Sequence, residues 1–67
     1  MSLFNELSTQ VSIARQIKCV ERELAFRRRV YARRVAEDKM TQPKAADEIA
    51  CMEAVLATLK AVMDRGS

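Results

Sequence analysis

The 67-residue sequence contains no histidine and no tryptophan, one proline (Pro43) and one glycine (Gly66). Tight hairpins between strands depend on glycine-containing turns, so we do not expect an all-β or α/β fold. Without histidine, a cysteine–histidine zinc site is excluded. The sequence also lacks a glycine-rich phosphate loop, a Gly-x-Ser-x-Gly motif and carboxylates at metal-ligand spacing. We therefore expect a non-enzymatic protein with no catalytic residues, no cofactor and no metal site.

Cysteines and long apolar runs are also scarce. Cys19 and Cys51 are 32 positions apart, which rules out a Cys-x-x-Cys redox motif, and we expect both to be reduced, buried small residues. No apolar run approaches the roughly 18 residues of a membrane span, and residues 1–7 do not resemble a secretory signal. These features predict a cytoplasmic protein with no membrane partner.

Positive charge is concentrated in one stretch of the chain. The net charge is +3, but residues 15–34 carry eight basic residues against Glu21 and Glu23, a local net charge of +6. The eight are Arg15, Lys18, Arg22, Arg27, Arg28, Arg29, Arg33 and Arg34. Such a segment indicates either a surface that attracts anions or a solvated face balanced by acidic residues on a neighbouring helix.

Apolar residues recur at steps of three and four in two long segments, which is the pattern of amphipathic helices. The first stripe consists of Ile13, Ile17, Val20, Leu24, Tyr31 and Val35, and the second of Ala45, Ile49, Met52, Leu56, Leu59 and Met63. We predict one helix over residues 12–37 and another over residues 42–65, with Thr41 as the N-cap of the second. Residues 1–11 are predicted to add a short N-terminal helical segment, so that residues 1–67 form one helical domain.

The short connection between these segments makes the two helices antiparallel, an all-α hairpin. With the turn centred near residue 40, residues whose numbers sum to about 80 lie at the same level. Leu24 then lies beside Leu56, and Val20 beside Leu59. The same register separates Cys19 from Cys51 by about 13 Å along the axis, too far for a disulfide.

Each helix carries a second apolar strip beside the first, so that its apolar arc covers about 160° to 180°. The additional residues are Cys19, Phe26 and Val30 in the first helix and Cys51, Val55 and Val62 in the second. One hairpin cannot cover arcs of this width. The sequence therefore predicts a homo-oligomer, either a dimer forming a four-helix bundle or a larger assembly.

Polar side chains interrupt these arcs and form the candidate ligand-binding set. Its members are Glu23, Arg27, Arg28, Tyr31 and Arg34 in the first helix and Glu48 in the second. Glu23 and Arg27 have the favourable i, i+4 order, and Glu48 is placed to pair with Arg34. Buried guanidinium groups need partners, which leaves two interpretations: an interfacial network of ion pairs, or a network that an anion completes.

Four further arginines fall within about 40° of one another on the first helix and form what we name the basic rail. Its members are Arg15, Arg22, Arg29 and Arg33. Guanidinium groups beside the aromatic ring of Phe26 are suited to a phosphate-bearing ligand, although a solvated basic helix has the same pattern.

Several segments resemble a group of short phage and prophage proteins of proteobacteria. The resemblance covers residues 13–59 and is carried by Gln16-Ile17-Lys18-Cys19-Val20-Glu21-Arg22-Glu23-Leu24, Arg27-Arg28-Arg29-Val30-Tyr31, Lys39-Met40-Thr41-Gln42 and Glu48-Ile49-Ala50-Cys51-Met52-Glu53-Ala54-Val55-Leu56. The related sequences often contain proline and tryptophan where this chain has Ala32 and Arg34. The resemblance implies a phage protein acting in the host bacterial cytoplasm, and brings no known activity with it.

Three functions fit these features. The first is an anti-defence protein that sequesters a phosphate-bearing small ligand, such as a nucleotide signal, between its subunits. The second is an inhibitor that binds a host protein through the basic rail and the apolar residues of the N-terminal segment. The third is a helical bundle that binds RNA or DNA, by analogy of architecture alone.

Overall fold

A computed structural model describes residues 11–66 of the chain. Within these residues it contains two α-helices and no strand: α1 spans Ile13–Ala36 and α2 spans Gln42–Gly66. The two helices pack against each other as a hairpin, which confirms the all-α prediction. The N-terminal segment predicted for residues 1–11 lies, except for Val11, outside the described residues. In the described part, neither helix has the length and apolar character needed to cross a membrane.

Both helices begin at a side chain that caps a backbone N–H group. Ser12 precedes α1 in an extended conformation, and its hydroxyl accepts a hydrogen bond from the N–H of Arg15 at 3.1 Å. Thr41 precedes α2, and its hydroxyl accepts a hydrogen bond from the N–H of Lys44 at 3.3 Å. A helix leaves its first N–H groups without partners, so these hydroxyls define where each helix starts. The predicted cap at Thr41 is present.

The connection between the helices is closed by a Schellman motif at the end of α1. The N–H of Lys39 donates to the carbonyl of Arg34 at 2.8 Å, and the N–H of Asp38 donates to the carbonyl of Val35 at 3.1 Å. This pattern requires a left-handed residue after the helix, a position that glycine usually occupies. Here Asp38 takes it, with a φ of 59°.

Replacing Asp38 by glycine is expected to stabilise the protein by about 0.5–1 kcal/mol. A Cβ atom disfavours the left-handed conformation, and glycine removes that cost without touching the two hydrogen bonds of the motif. Urea unfolding of the Asp38→Gly variant measures the change, with Asp38→Ala as the matched control that is expected to destabilise. A glycine variant less stable than the wild type would show that the Asp38 side chain contributes more than its backbone strain costs.

The core of the hairpin is small. Only Ile17 and Leu24 are buried hydrophobic residues in residues 11–66, with 9 % and 3 % of their surface exposed. Two ion pairs join the helices and show their register, one from Arg28 to Glu53 and one from Lys60 to Glu21, the latter at 3.7 Å. In each pair the residue numbers sum to 81, which agrees with the predicted register.

The hairpin has two different broad sides. We name the side with the two interhelical ion pairs the paired face. Helix periodicity places the second strips of the two helices away from this side, and we name the side that carries them the apolar face. Its residues are Cys19, Phe26, Val30, Cys51, Val55 and Val62. A groove of about 460 Å³ lies between α1 and α2 at one end of the apolar face, near the start of α1, with Cys19 and Val20 on one wall and Val55 and Leu59 on the other.

The two cysteines are unbonded, as the register predicts, but they are not buried. Cys19 and Cys51 are both exposed, so the expectation that they are buried small residues is wrong for the single chain. Both lie on the apolar face, away from the line along which α1 contacts α2. Within residues 11–66 there is no third helix that covers this position.

Candidate anion-binding site

Three residues on successive turns of α1 form a connected array of side chains. Arg27 donates from Nε to Oε1 of Glu23 at 3.0 Å, and from Nη1 to the hydroxyl of Tyr31 at 3.5 Å. The spacing of four residues places each side chain above the next on one side of the helix. The predicted pairing of Glu23 with Arg27 is present in the structure, and it extends to Tyr31. The guanidinium group is therefore held by contacts on both sides along the helix.

The electrostatics of the array favour a permanently charged arginine. The hydrogen bond with Glu23 is the largest of the effects that raise the pKa of Arg27 above its ordinary value, and Tyr31 adds to it. Arg27 and Glu23 are 37 % and 47 % exposed, so water screens the pair and its own contribution to stability is small.

The array leaves donors for an incoming anion. A guanidinium group has five N–H donors in a planar fork, and the contacts with Glu23 and Tyr31 use two of them. The remaining donors match the paired oxygens of a phosphate group, which a bidentate contact binds most strongly. These remaining donors are what makes the array a candidate anion site.

Arg28 lies apart from the array, on the paired face. Its Nη2 donates to Oε2 of Glu53, and both side chains are about half exposed. Arg28 was predicted as a ligand residue, and Glu53 was not assigned a partner. The register and the helix periodicity could have predicted this ion pair, because Arg28 and Glu53 lie at the same level on the sides of α1 and α2 that face each other.

The predicted pair between Arg34 and Glu48 does not form. Arg34 is exposed in the last turn of α1 and Glu48 is half-buried on α2, and no salt bridge joins them. A solvent-exposed pair contributes little and orders a long side chain, so nothing in one hairpin holds these two groups together.

The basic rail is exposed along its whole length. All four arginines are exposed, and none of them forms a salt bridge within residues 11–66. The guanidinium carbon of Arg29 lies 5.8 Å from the centroid of the Phe26 ring, a cation–π contact. From Arg15 to Arg33 the rail extends about 27 Å along the helix.

A second groove, of about 340 Å³, lies near the turn between the helices. Its walls are mostly apolar, and the lining residues are Arg28, Tyr31, Ala32, Val35, Gln42, Ala45, Ala46 and Ile49. Tyr31 thus has two roles: its ring lines this groove and its hydroxyl accepts the hydrogen bond from Arg27. The sequence pattern predicts Tyr31 as a ligand residue but does not predict the groove, because a groove depends on how small residues such as Ala45 and Ala46 leave space between the helices.

No group of side chains in residues 11–66 is arranged to hold a metal ion. No protein-family model matches the chain, and comparison with curated proteins and with solved structures finds no similar protein. The candidate site therefore stands on its own geometry.

Proposed function

We propose that the protein is a non-enzymatic, oligomeric binder that captures a phosphate-bearing small ligand, such as a nucleotide signal, at a subunit interface. The observation that carries the proposal is the array of Glu23, Arg27 and Tyr31. It holds one guanidinium group in place on the side of α1 between the α2 contact and the exposed apolar strip.

Preorganisation is the physical reason for choosing this site. A free arginine side chain loses about 2 kcal/mol of conformational entropy when it is fixed, and Arg27 has lost part of that before any ligand arrives. The neighbouring basic rail raises the local concentration of anions by long-range attraction. The apolar face beside the array supplies surface that a nucleoside or a second subunit can cover.

The proposed biological role is counteraction of host defence by a phage-type protein in the bacterial cytoplasm. It rests on the resemblance of residues 13–59 to short phage and prophage proteins, and on the binding chemistry above. A small non-enzymatic protein removes a nucleotide signal by holding it, so it needs affinity and abundance rather than turnover.

RNA or DNA binding is a second candidate, favoured by the basic rail. Its four arginines, exposed along about 27 Å with Phe26 beside them, are suited to a run of backbone phosphates. Binding to a long nucleic acid releases many counterions, whereas a small nucleotide releases few. The slope of affinity against salt concentration therefore separates the two functions.

Calorimetric titration of the purified protein with a panel of nucleotides tests the proposal. The panel contains mono-, di- and cyclic nucleotides, with inorganic phosphate and a single-stranded oligonucleotide as comparisons, at two salt concentrations. The proposal expects saturable binding of at least one small nucleotide with a shallow salt dependence. Steep salt dependence with the oligonucleotide alone would favour the nucleic-acid function. If no phosphate-bearing compound binds, inhibition of a host protein becomes the better proposal.

A further inference from the structure

The apolar strips of the two helices match each other level by level. The interhelical ion pairs set the register, in which residue numbers of level residues sum to 81. By this measure Phe26 is level with Val55. The other strip residues pair in the same way, Cys19 with Val62 and Val30 with Cys51. The apolar face therefore consists of two rows whose members lie at matching levels, with Glu23 and Arg27 of α1 between the rows.

Five of the six row residues are exposed although they are apolar, and Val30 is half-buried. Phe26, Val55 and Val62 are 50 %, 44 % and 36 % exposed. Residues 11–66 contain only two buried hydrophobic residues, so this part of the chain gains little from its own core, while the rows face water. A contiguous exposed apolar surface of this kind is typical of an interaction site.

The net charges of the two helices favour one orientation for a second copy that covers the apolar face. Eight basic and two acidic residues give α1 a net charge of +6, whereas α2 has three basic and four acidic residues and a net charge of −1. Stacking α1 on α1 of a second copy would bring the two basic helices together. Stacking α1 on α2 avoids that repulsion.

We propose that a second copy of this chain docks on the apolar face, with α1 of each copy against α2 of the other. The two-fold axis runs parallel to the helices, both turns lie at the same end, and the result is a four-helix bundle in which every neighbouring pair of helices is antiparallel. Because this axis preserves levels, Phe26 lies over Val55 of the second copy. Cys19 in the same way lies over Val62, and Val30 over Cys51.

The size and the remaining charges of the face fit this arrangement. The face measures about 30 Å by 20 Å, so the dimer buries about 1,200 Å² in total, the lower end of stable interfaces. Arg34 and Glu48, which do not pair within one chain, are also level, with numbers that sum to 82. The second copy brings its Glu48 to the level of Arg34, beside the array formed by Arg27.

This inference deepens the proposed function, and rests on it for the role of the interface as a ligand site. The docking geometry itself is tested without any ligand, so the two can fail separately. A titration that detects no nucleotide binding would not contradict the four-helix bundle. A cross-linking result that contradicts the bundle would not change the outcome of the titration.

Disulfide cross-linking tests the geometry directly. The variant Cys19→Ser/Val30→Cys has thiols at positions 30 and 51, which the dimer places opposite each other across the interface. The matched control, Cys19→Ser/Ala32→Cys, has its new thiol at nearly the same level but on the paired face. Both are treated with a mild oxidant at micromolar concentration and run on a non-reducing gel. The inference expects a covalent dimer from the first variant and monomer from the control.

Sedimentation of Phe26→Asp supplies a second readout. A carboxylate in the α1 row of the apolar face, at its border with the basic rail, is expected to raise the dimer dissociation constant at least about a hundredfold, while circular dichroism reports whether the helices persist. Cross-linking of the control but not of the Val30→Cys variant, or a wild-type protein that sediments as a monomer, would overturn the inference. An intrachain disulfide in the Val30→Cys variant would overturn it as well.

Discussion

Replacing Arg27 by alanine is expected to weaken nucleotide capture by about 2–5 kcal/mol, at least about thirtyfold in dissociation constant. The substitution removes a fixed guanidinium fork, and neither Glu23 nor Tyr31 can replace its donors. Arg27→Lys keeps the charge but loses the bidentate geometry, so its affinity is expected to lie between those of the alanine variant and the wild type. Calorimetric titration of each variant with the nucleotide that the wild type binds measures these differences.

Arg15→Ala is the matched control for this series, because it removes one positive charge from the exposed rail far from the array. It is expected to cause a modest loss that disappears at high salt. If Arg27→Ala instead binds as the wild type does and only its melting temperature changes, the ion pair with Glu23 is structural. The function would then be sought in protein or nucleic-acid binding.

Leu24→Ala is expected to cost about 2–5 kcal/mol of unfolding free energy, the largest effect of any single truncation in the hairpin. Leu24 is 3 % exposed and is one of two buried hydrophobic residues in residues 11–66, so the substitution removes a large share of a small core. Urea unfolding at fixed protein concentration measures the loss, since the stability of an oligomer depends on concentration. Asp64→Ala, at an exposed position of α2 outside the apolar strip, is expected to change the free energy by less than about 0.5 kcal/mol.

Leu56→Ala provides a comparison within the same layer. Periodicity alone makes Leu24 and Leu56 equivalent, whereas the structure leaves Leu56 only half-buried. Its truncation is therefore expected to cost less than that of Leu24. Equal losses would indicate that a second subunit covers Leu56.

The fold was accessible from the sequence because its determinants are local and periodic. The stripe through Ile17 and Leu24 predicts the contact face of α1, and Thr41 predicts the start of α2 through its capping hydroxyl. The level rule for antiparallel helices then predicts the register that the interhelical ion pairs show. Each of these depends on neighbours within one or two turns, or on simple helix geometry.

The parts that the sequence did not predict depend on which side chains one hairpin can cover. Cys19 and Cys51 have the size and polarity of core residues, but two helices alone leave their side of the bundle exposed. Arg34 and Glu48 are level, but an ion pair at an exposed position contributes too little free energy to offset the ordering of both side chains, so they do not pair. Asp38 occupies a left-handed position where glycine is the usual residue. The sequence has no glycine there, so the motif is recognised only from the hydrogen bonds of the turn.

The part of the site that lies within one helix was predictable from the sequence, and the part that depends on the second helix was not. The contact between Glu23 and Arg27 follows from a spacing of four residues on one helix, and the structure contains it. Arg28 has the same residue type and a neighbouring position, but one residue further along the helix turns it by about 100° toward Glu53. Assigning arginines to a ligand or to an ion pair therefore requires the second helix.

Native mass spectrometry of the protein isolated from bacteria that express it tests the central claim most directly, because one spectrum reports both subunit number and retained small molecules. The account predicts an even-numbered oligomer that carries additional mass equal to a phosphate-bearing compound, and loss of that mass in Arg27→Ala. A ligand-free monomer under the same conditions would contradict both the oligomeric site and its proposed function.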